Sequence, residues 1–396
     1  MATRTAAAPA KRKKRWFNFS ASFDMPFFVL TMLVLAVGLV SLFSASFAYA
    51  YYWNDGDSYY YIKRQLIFAA IGIIGMLAAS TLNYKQLQKK WVVYLALGIA
   101  LVLLLWVRFV APPVRNVYRW IRIAGFSIQP SELAKFALIL FMAYWISLQG
   151  DKMKKPKEGF FIPIGVTGII AVLVVIEPHL SGTMLIVAIG MVMMFIGGTK
   201  LRWLFGTLLL GAGGVVGMVF GLGYERDRID VWLDPLKVYT SGGEGRDLAW
   251  QTVQSLYAIG SGGLMGEGLG NSRQKHLFLP EPQNDFIFSI VCEEMGFVGA
   301  VLIIVLFALL VWRGFVIGLK APDRFSSLLA IGLTAQIGLQ VALNLAVVSN
   351  AMPNTGISLP FFSYGGSSLI VLLVQMGIIL AISRSIADES RTSRRP

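Results

Sequence analysis

Apolar residues gather along this chain in ten blocks, near 25–46, 65–82, 91–110, 129–148, 160–177, 182–198, 203–223, 286–312, 326–349 and 367–383. Each block approaches the roughly 20 residues that a helix needs to cross a bilayer. Spanning strands would alternate apolar and polar positions, whereas runs such as LVLLLWV and VLIIVLFALLVW do not alternate. The pattern predicts an all-α polytopic membrane protein of about ten transmembrane helices, with a long outer loop at 224–285 between the seventh and eighth. Residues 1–24 form a basic tail, 25–383 the membrane domain and 384–396 a second tail.

Composition agrees, because 56% hydrophobic and 14% charged residues lie outside the soluble range. The net charge of +14 is mostly an orientation signal. Lys85, Lys89 and Lys90, then Lys152, Lys154, Lys155 and Lys157, then Arg313, Lys320 and Arg324 fall on one side together with both basic termini, which predicts cytoplasmic termini and an external 224–285 loop. The basic N-terminus suits anionic lipid, and no nucleic-acid motif accompanies it. Cys292 is the single cysteine and His179 and His276 stand far apart, so neither a disulfide framework nor a metal motif is present. The stretch GSGGLMGEGLGNS matches no nucleotide-binding loop.

Several polar groups interrupt this pattern. Arg115, Arg119 and Arg122 are spaced so that a short helix would project all three from one face. Such a cluster suits either a diphosphate or lipid phosphates. Glu132 and Lys135 lie one turn apart inside an apolar span, where paired charges face a bundle interior or a water-filled cavity. Gln336, Gln340 and Asn344 draw a polar stripe along the ninth span, as helix-to-helix hydrogen bonding would. The prolines and glycines of NAMPNTGISLPFFSYGGSS preclude a regular helix, which predicts an outer or re-entrant loop. The aromatic first outer loop, AYAYYWNDGDSYYYIKR, suits an interfacial belt and offers no catalytic set. Asp285 stands at the mouth of the eighth span, where it is either an N-terminal cap or a functional acid.

Three blocks, NVYRWIRIAGFSIQPSELAK, YAIGSGGLMGEGLGNSRQKHLFLPEPQNDFIFSIVCEEMGFVGA and NTGISLPFFSYGGSS, closely resemble the SEDS family of bacterial cell-wall polymerases, the FtsW, RodA and SpoVE group. Ile357-Ser358-Leu359-Pro360 looks most like the FtsW and SpoVE branches. The resemblance implies a peptidoglycan glycosyltransferase of the bacterial cytoplasmic membrane that polymerises lipid II during cell division. It implies a class B penicillin-binding protein as partner, together with other division proteins. It carries the catalytic acid onto Asp285 and the ion pair of the fourth helix onto Glu132 and Lys135. Ser272, Gln274 and Lys275 fit the motif around the acid, and Ser363 and Ser367 of the third block join the substrate-binding set. His179 departs from the family, which usually carries Asp there.

Chemistry is consistent with that reading. One carboxylate can take the proton of an attacking hydroxyl, and cations must steady a leaving diphosphate. Lys275, Arg119 and Lys135 are the candidates, in that order. Asp285 could instead hold a divalent cation, magnesium or manganese, against the diphosphate. A single carboxylate points to direct inversion. The small-residue faces of the eighth and ninth spans, with Gly299, Gly332 and Gly338, suit the docking of a single-pass partner. Rival functions are a flippase for lipid II and a non-enzymatic division scaffold.

Overall fold

A computed structural model describes residues 23–112, 118–123, 126–177, 179–217 and 226–392. Among the described residues nine helices are long and apolar enough to cross a membrane. Six come first: α1 (Met25–Trp53), α2 (Tyr60–Ser80), α3 (Lys90–Phe109), α4 (Pro130–Gln149), α5 (Ile162–Ile176) and α6 (Leu180–Gly197). The shorter α7 (Leu201–Val216) occupies the seventh apolar block, and the end of that block lies outside the described residues. The 224–285 loop carries α8 (Arg226–Leu233), α9 (Pro235–Thr240) and α10 (Gly243–Ser261). Three further spans follow, α11 (Ile287–Leu319), α12 (Arg324–Val348) and α13 (Gly366–Thr392).

Helix ends follow local chemistry. Asp24 caps α1 by accepting the Phe27 N–H at 3.0 Å, and Asp323 with Ser326 forms a capping box at the start of α12. Proline occupies the first turn of α4 and α5, where its missing N–H costs nothing. Small residues set the packing. Gly72 and Gly75 of α2 lie against Leu373 and Val374 of α13, and Gly314 and Gly318 of α11 lie against Thr334 and Ile331 of α12.

That last pair changes the docking expectation. Gly332 of α12 faces inward onto Ile139 and Met193, and Gly299 is buried as well. Much of the small-residue surface therefore joins helices within this chain. The apolar surface of α11 left open carries Phe297, Leu302, Val305 and Trp312.

The segment 350–365 is irregular and enters the bundle, with Ile357, Leu359, Phe361 and Phe362 buried. The Phe362 ring packs on Phe307 of α11 at 5.5 Å. Its backbone is satisfied by side chains, as buried peptide groups require. Gln340 Nε2 donates to Ser358 O at 3.0 Å and Asn344 Nδ2 to Ile357 O at 2.7 Å. The polar stripe of α12 thus holds a re-entrant loop more than it joins helices.

α11 is broken near its start. Gly296 takes φ 64° and ψ −170°, a conformation open to glycine. Two strands of backbone run alongside: Glu267 N–H donates to Glu293 O at 3.0 Å and Phe297 N–H to Gly263 O at 2.9 Å.

Candidate active site

Asp285 lies two residues before α11. The N-cap position is Phe286 and no side chain caps it, so the carboxylate of Asp285 is left for other work. Its backbone is fixed from several directions. Asn344 Nδ2 donates to Asp285 O at 2.7 Å. Ser363 Oγ donates to Asn284 O at 2.7 Å while accepting the Leu359 N–H at 2.8 Å. Tyr364 N–H donates to Gln283 O at 2.8 Å. Gly356, at φ +68°, brings its backbone so close that an added Cβ would sit 3.1 Å from Asp285 Oδ2. Gly356 is itself held, because Ser181 Oγ donates to its carbonyl at 3.0 Å and its N–H donates to Asn354 Oδ1 at 3.2 Å.

The half-buried carboxylate opens into a cavity of about 790 Å³. Arg64, Arg119, Arg122, Lys135, His179 and Ser367 line the same space. Lys135 is buried on the cavity floor, donating to Glu132 Oε1 at 2.8 Å and to Gln340 Oε1 at 3.2 Å. This pair is compensated, as a buried charge must be. Ser367 Oγ accepts the Gln129 N–H at 3.1 Å, joining α13 to the entrance of α4. Burial raises the carboxyl of Asp285 to about 6, against the lowering pull of Arg119.

Two neighbours at the α5–α6 turn are neutral near pH 7. Burial raises Glu177 to about 8, opposed by Arg119, and neither of its carboxyl oxygens meets a hydrogen-bond donor among the described residues. His179 is driven down to about 3 by burial and then by Arg119 and Lys135. It meets the cavity as an uncharged ring.

Arg119 and Arg122 are not on a helix. Arg122 lies in β1 (Ile121–Ile123), paired antiparallel with β2 (Phe126–Ile128), and Arg119 precedes that hairpin. Alternating β-branched and apolar residues at Ile121, Ile123 and Ile128 favour the strand. Arg115 lies outside the described residues. Both described guanidiniums still reach the cavity.

Ser272, Gln274 and Lys275 lie elsewhere. The Lys275 ammonium is buried against Glu294 at 2.8 Å and donates to Ser44 at 3.1 Å. Glu293 accepts from the Ser272 hydroxyl and from the Arg273 N–H at 2.9 Å. Gln274 contributes its N–H to the same carboxylate at 3.4 Å. These residues clasp the loop to the broken start of α11 and do not line the cavity. Ser363 acts as described above, through the backbone of Asn284. Sequence reasoning missed Arg64, which lies in α2 with its guanidinium 4.2 Å from the Tyr60 ring centroid. A basic residue opening an apolar span was the available signal.

Such a bundle, whose cavity is lined by several guanidiniums and by one carboxylate, Asp285, with no side-chain partner among the described residues, defines a polytopic membrane protein equipped for an anionic ligand. The chain belongs to the FtsW/RodA/SpoVE family, described as cell cycle proteins, which matches residues 24–388. It is 40% identical to stage V sporulation protein E of Bacillus subtilis (strain 168), over 91% of this chain and 97% of that protein. It is 39% identical to the probable peptidoglycan glycosyltransferase FtsW of Geobacter sp. (strain M18), over 91% and 96%. Among solved structures it resembles one of a peptidoglycan synthase complex that coordinates polymerization and crosslinking, with a TM-score of 0.76, 27% identity and coverage of 92% and 98%. It also resembles the rod shape determining protein RodA of Thermus thermophilus, with a TM-score of 0.67, 27% identity and coverage of 92% and 97%.

Proposed function

We propose that this chain polymerises lipid II into glycan strands with Asp285 as general base. At the level of class, the chain is a peptidoglycan glycosyltransferase. The observation that carries the finer reading is the Asp285 carboxylate opening into the same cavity as Arg64, Arg119 and Arg122. In the step, the acceptor sugar hydroxyl attacks the donor anomeric carbon and Asp285 takes its proton. The bond to the diphosphate breaks, and the diphosphate leaves with the electron pair toward the guanidiniums, which can grip phosphate oxygens in pairs. A carboxyl raised to about 6 by burial suits a base, which works best with a pKa near the operating pH. Glu132 is tied to Lys135, and Glu281 accepts from Asn284 at 2.8 Å. Asp285 is then the one cavity-lining carboxylate left free among the described residues, which favours direct inversion over a covalent intermediate. Among the described residues no three His, Cys, Asp or Glu side chains gather as a metal site. A magnesium or manganese ion here would rest on Asp285 and on the ligand's own phosphate oxygens.

The same reading puts the cavity on the outer face of the bacterial cytoplasmic membrane, both termini in the cytoplasm, and a class B penicillin-binding protein along α11 and α12. The open side of α11, from Phe297 to Trp312, is the surface offered to it. A cysteine replacing Ser241 should react with an impermeant thiol reagent on spheroplasts and one replacing Lys155 should not; labelling at both positions, or only at Lys155, overturns the orientation. For the chemistry, Asp285→Asn should retain folding and lose polymer formation from labelled lipid II by roughly 100-fold or more. Near-normal polymer from that variant removes Asp285 as the base. Leaflet exchange of lipid II without polymer by the native protein makes it a flippase, and neither activity makes it a scaffold.

A further inference from the structure

A second hollow, of about 510 Å³, lies beside the first and is lined by Tyr49, Tyr52, Trp53, Leu277, Leu279, Pro280 and Glu281. Tyr49, Trp53 and Glu281 line both spaces, so the two communicate. The shared wall is aromatic. From the outer hollow inward, ring centroids lie 6.1 Å apart for Trp53 and Tyr49, 6.2 Å for Tyr49 and Tyr61, and 4.9 Å for Tyr61 and Tyr364. All four rings line the main cavity, and together they make a continuous path from its interior to the hollow.

Depth argues against an acyl chain as the occupant. α1 has 29 residues and Tyr49 lies about 36 Å along the axis from Met25. The hydrocarbon core is only about 30 Å thick, so Tyr49, Tyr52 and Trp53 stand at or beyond its edge. Tyr52 is 64% exposed and Trp53 69%. The hollow's own lining is aromatic and apolar apart from Glu281 and the two tyrosine hydroxyls, and it adjoins a main cavity edged by Asn54 and Arg64. An aromatic face beside such polar groups is amphipathic in the manner of a sugar ring, whose C–H face stacks on aromatic carbon while its hydroxyls take hydrogen bonds. The loop wall supports the same use: Leu277 holds a left-handed backbone at φ 69° with its side chain partly exposed at the hollow. That conformation is costly for a branched residue and tends to persist where function needs it.

We propose that this hollow is a saccharide-binding subsite that holds the β-1,4-linked glycan strand as it leaves the cavity, and so sets how many additions occur before release. The proposal rests on the polymerase reading above. It gives the aromatic first outer segment a role beyond an interfacial belt.

The test uses the full-length protein with its partner and labelled lipid II, and compares glycan length by gel at equal substrate consumption, so that differences in rate cancel. Tyr52→Ala and Leu277→Gly touch only the outer hollow, and the glycine also relieves the strained backbone. Each should shorten the mean strand about threefold, the Boltzmann factor of one lost aromatic or apolar contact, while Tyr52→Phe restores it. Unchanged strand length in both variants overturns the subsite, and so does a loss of thermal stability with unchanged length, which is the signature of a membrane belt. An independent measurement is saturation transfer to a β-1,4-linked N-acetylglucosamine tetramer. Transfer to ring protons in the native protein, lost in the double variant, supports the subsite; equal transfer in both overturns it. Native protein that makes no polymer yet passes saturation to the tetramer defeats the polymerase reading and leaves the saccharide site standing.

Discussion

Gly356→Ala isolates the contact that aims Asp285, the proposed base. Two costs attend the added methyl. The first is conformational: at φ +68° an alanine pays about 1–2 kcal/mol relative to glycine. The second falls on Asp285, whose Oδ2 would be 3.1 Å from the new carbon, tight enough that one partner must shift by a few tenths of an ångström. The backbone cannot easily retreat, because Ser181 holds the Gly356 carbonyl, Asn354 its N–H and Asn344 the next carbonyl. The carboxylate moves instead. Since a 1 Å misplacement can cost about 100-fold, a few tenths should lower the polymerisation rate roughly 3- to 10-fold. Gly263→Ala supplies the control: Gly263 has φ +52° with nothing near its missing Cβ, so it shares the conformational cost and spares Asp285. Both variants should lose similar thermal stability, and only Gly356→Ala should lose rate. Equal rates of lipid II polymerisation in the two would refute the claim that Gly356 positions the acid.

Further expectations concern charge. With Asp285 raised to about 6 by burial, the proposed base is protonated below that pH, so kcat/KM should fall as pH drops through about 6 and level off above it, and a profile flat from pH 5 to 8 contradicts the assignment. Glu177 is raised to about 8 from an ordinary 4.5. The folded state therefore keeps a proton that the unfolded state releases, and stability present below pH 4.5 is lost as pH rises toward 8. Glu177→Gln should match the native melting temperature near pH 4.5 and exceed it increasingly up to pH 8, by at most roughly 1.4 kcal/mol per pH unit; a constant difference across that range rules the shift out. Lys275→Met leaves the buried Glu294 carboxylate unpaired and should cost about 3–5 kcal/mol, partly regained by adding Glu294→Gln, as read by thermal unfolding. If Lys275→Met is as stable as the native protein, the clasp is unimportant.

Much of the bundle could be read from hydrophobicity, because nine spans announce themselves by length and apolar content alone. The re-entrant loop was legible too, since Pro353, Pro360 and the glycines around them forbid a helix. What the pattern could not give was azimuth. Whether Gly332 faces lipid or Ile139 depends on neighbours almost 200 residues away; the one local clue is that Gly332 lies one turn before Gln336, at the head of the buried polar stripe. The strands around Arg122 are three residues each, too short for a period to emerge. Lys275 looked like a phosphate ligand because a lone cation near an acid motif resembles one. Its partner Glu294 lies 19 residues on, in what reads as uninterrupted helix, and the fold of the intervening loop that brings the two together leaves no local pattern. Arg64 was passed over because tyrosines surround it in sequence, while Tyr364, with which it shares the cavity, is 300 positions distant.

The bracing of Asp285 also bears on biogenesis. Its supports arrive in the order Ser181, Asn344, Gly356 and Ser363, and Ser367 then opens α13, which packs along α2 from the far end of the chain. Helices that leave the ribosome early are in the bilayer well before the later ones are made. Until the last span inserts, the acid has neither its fixed backbone nor an enclosed cavity. Under the proposed mechanism, a chain lacking α13 would therefore be silent toward lipid II, and activity would follow insertion of that helix.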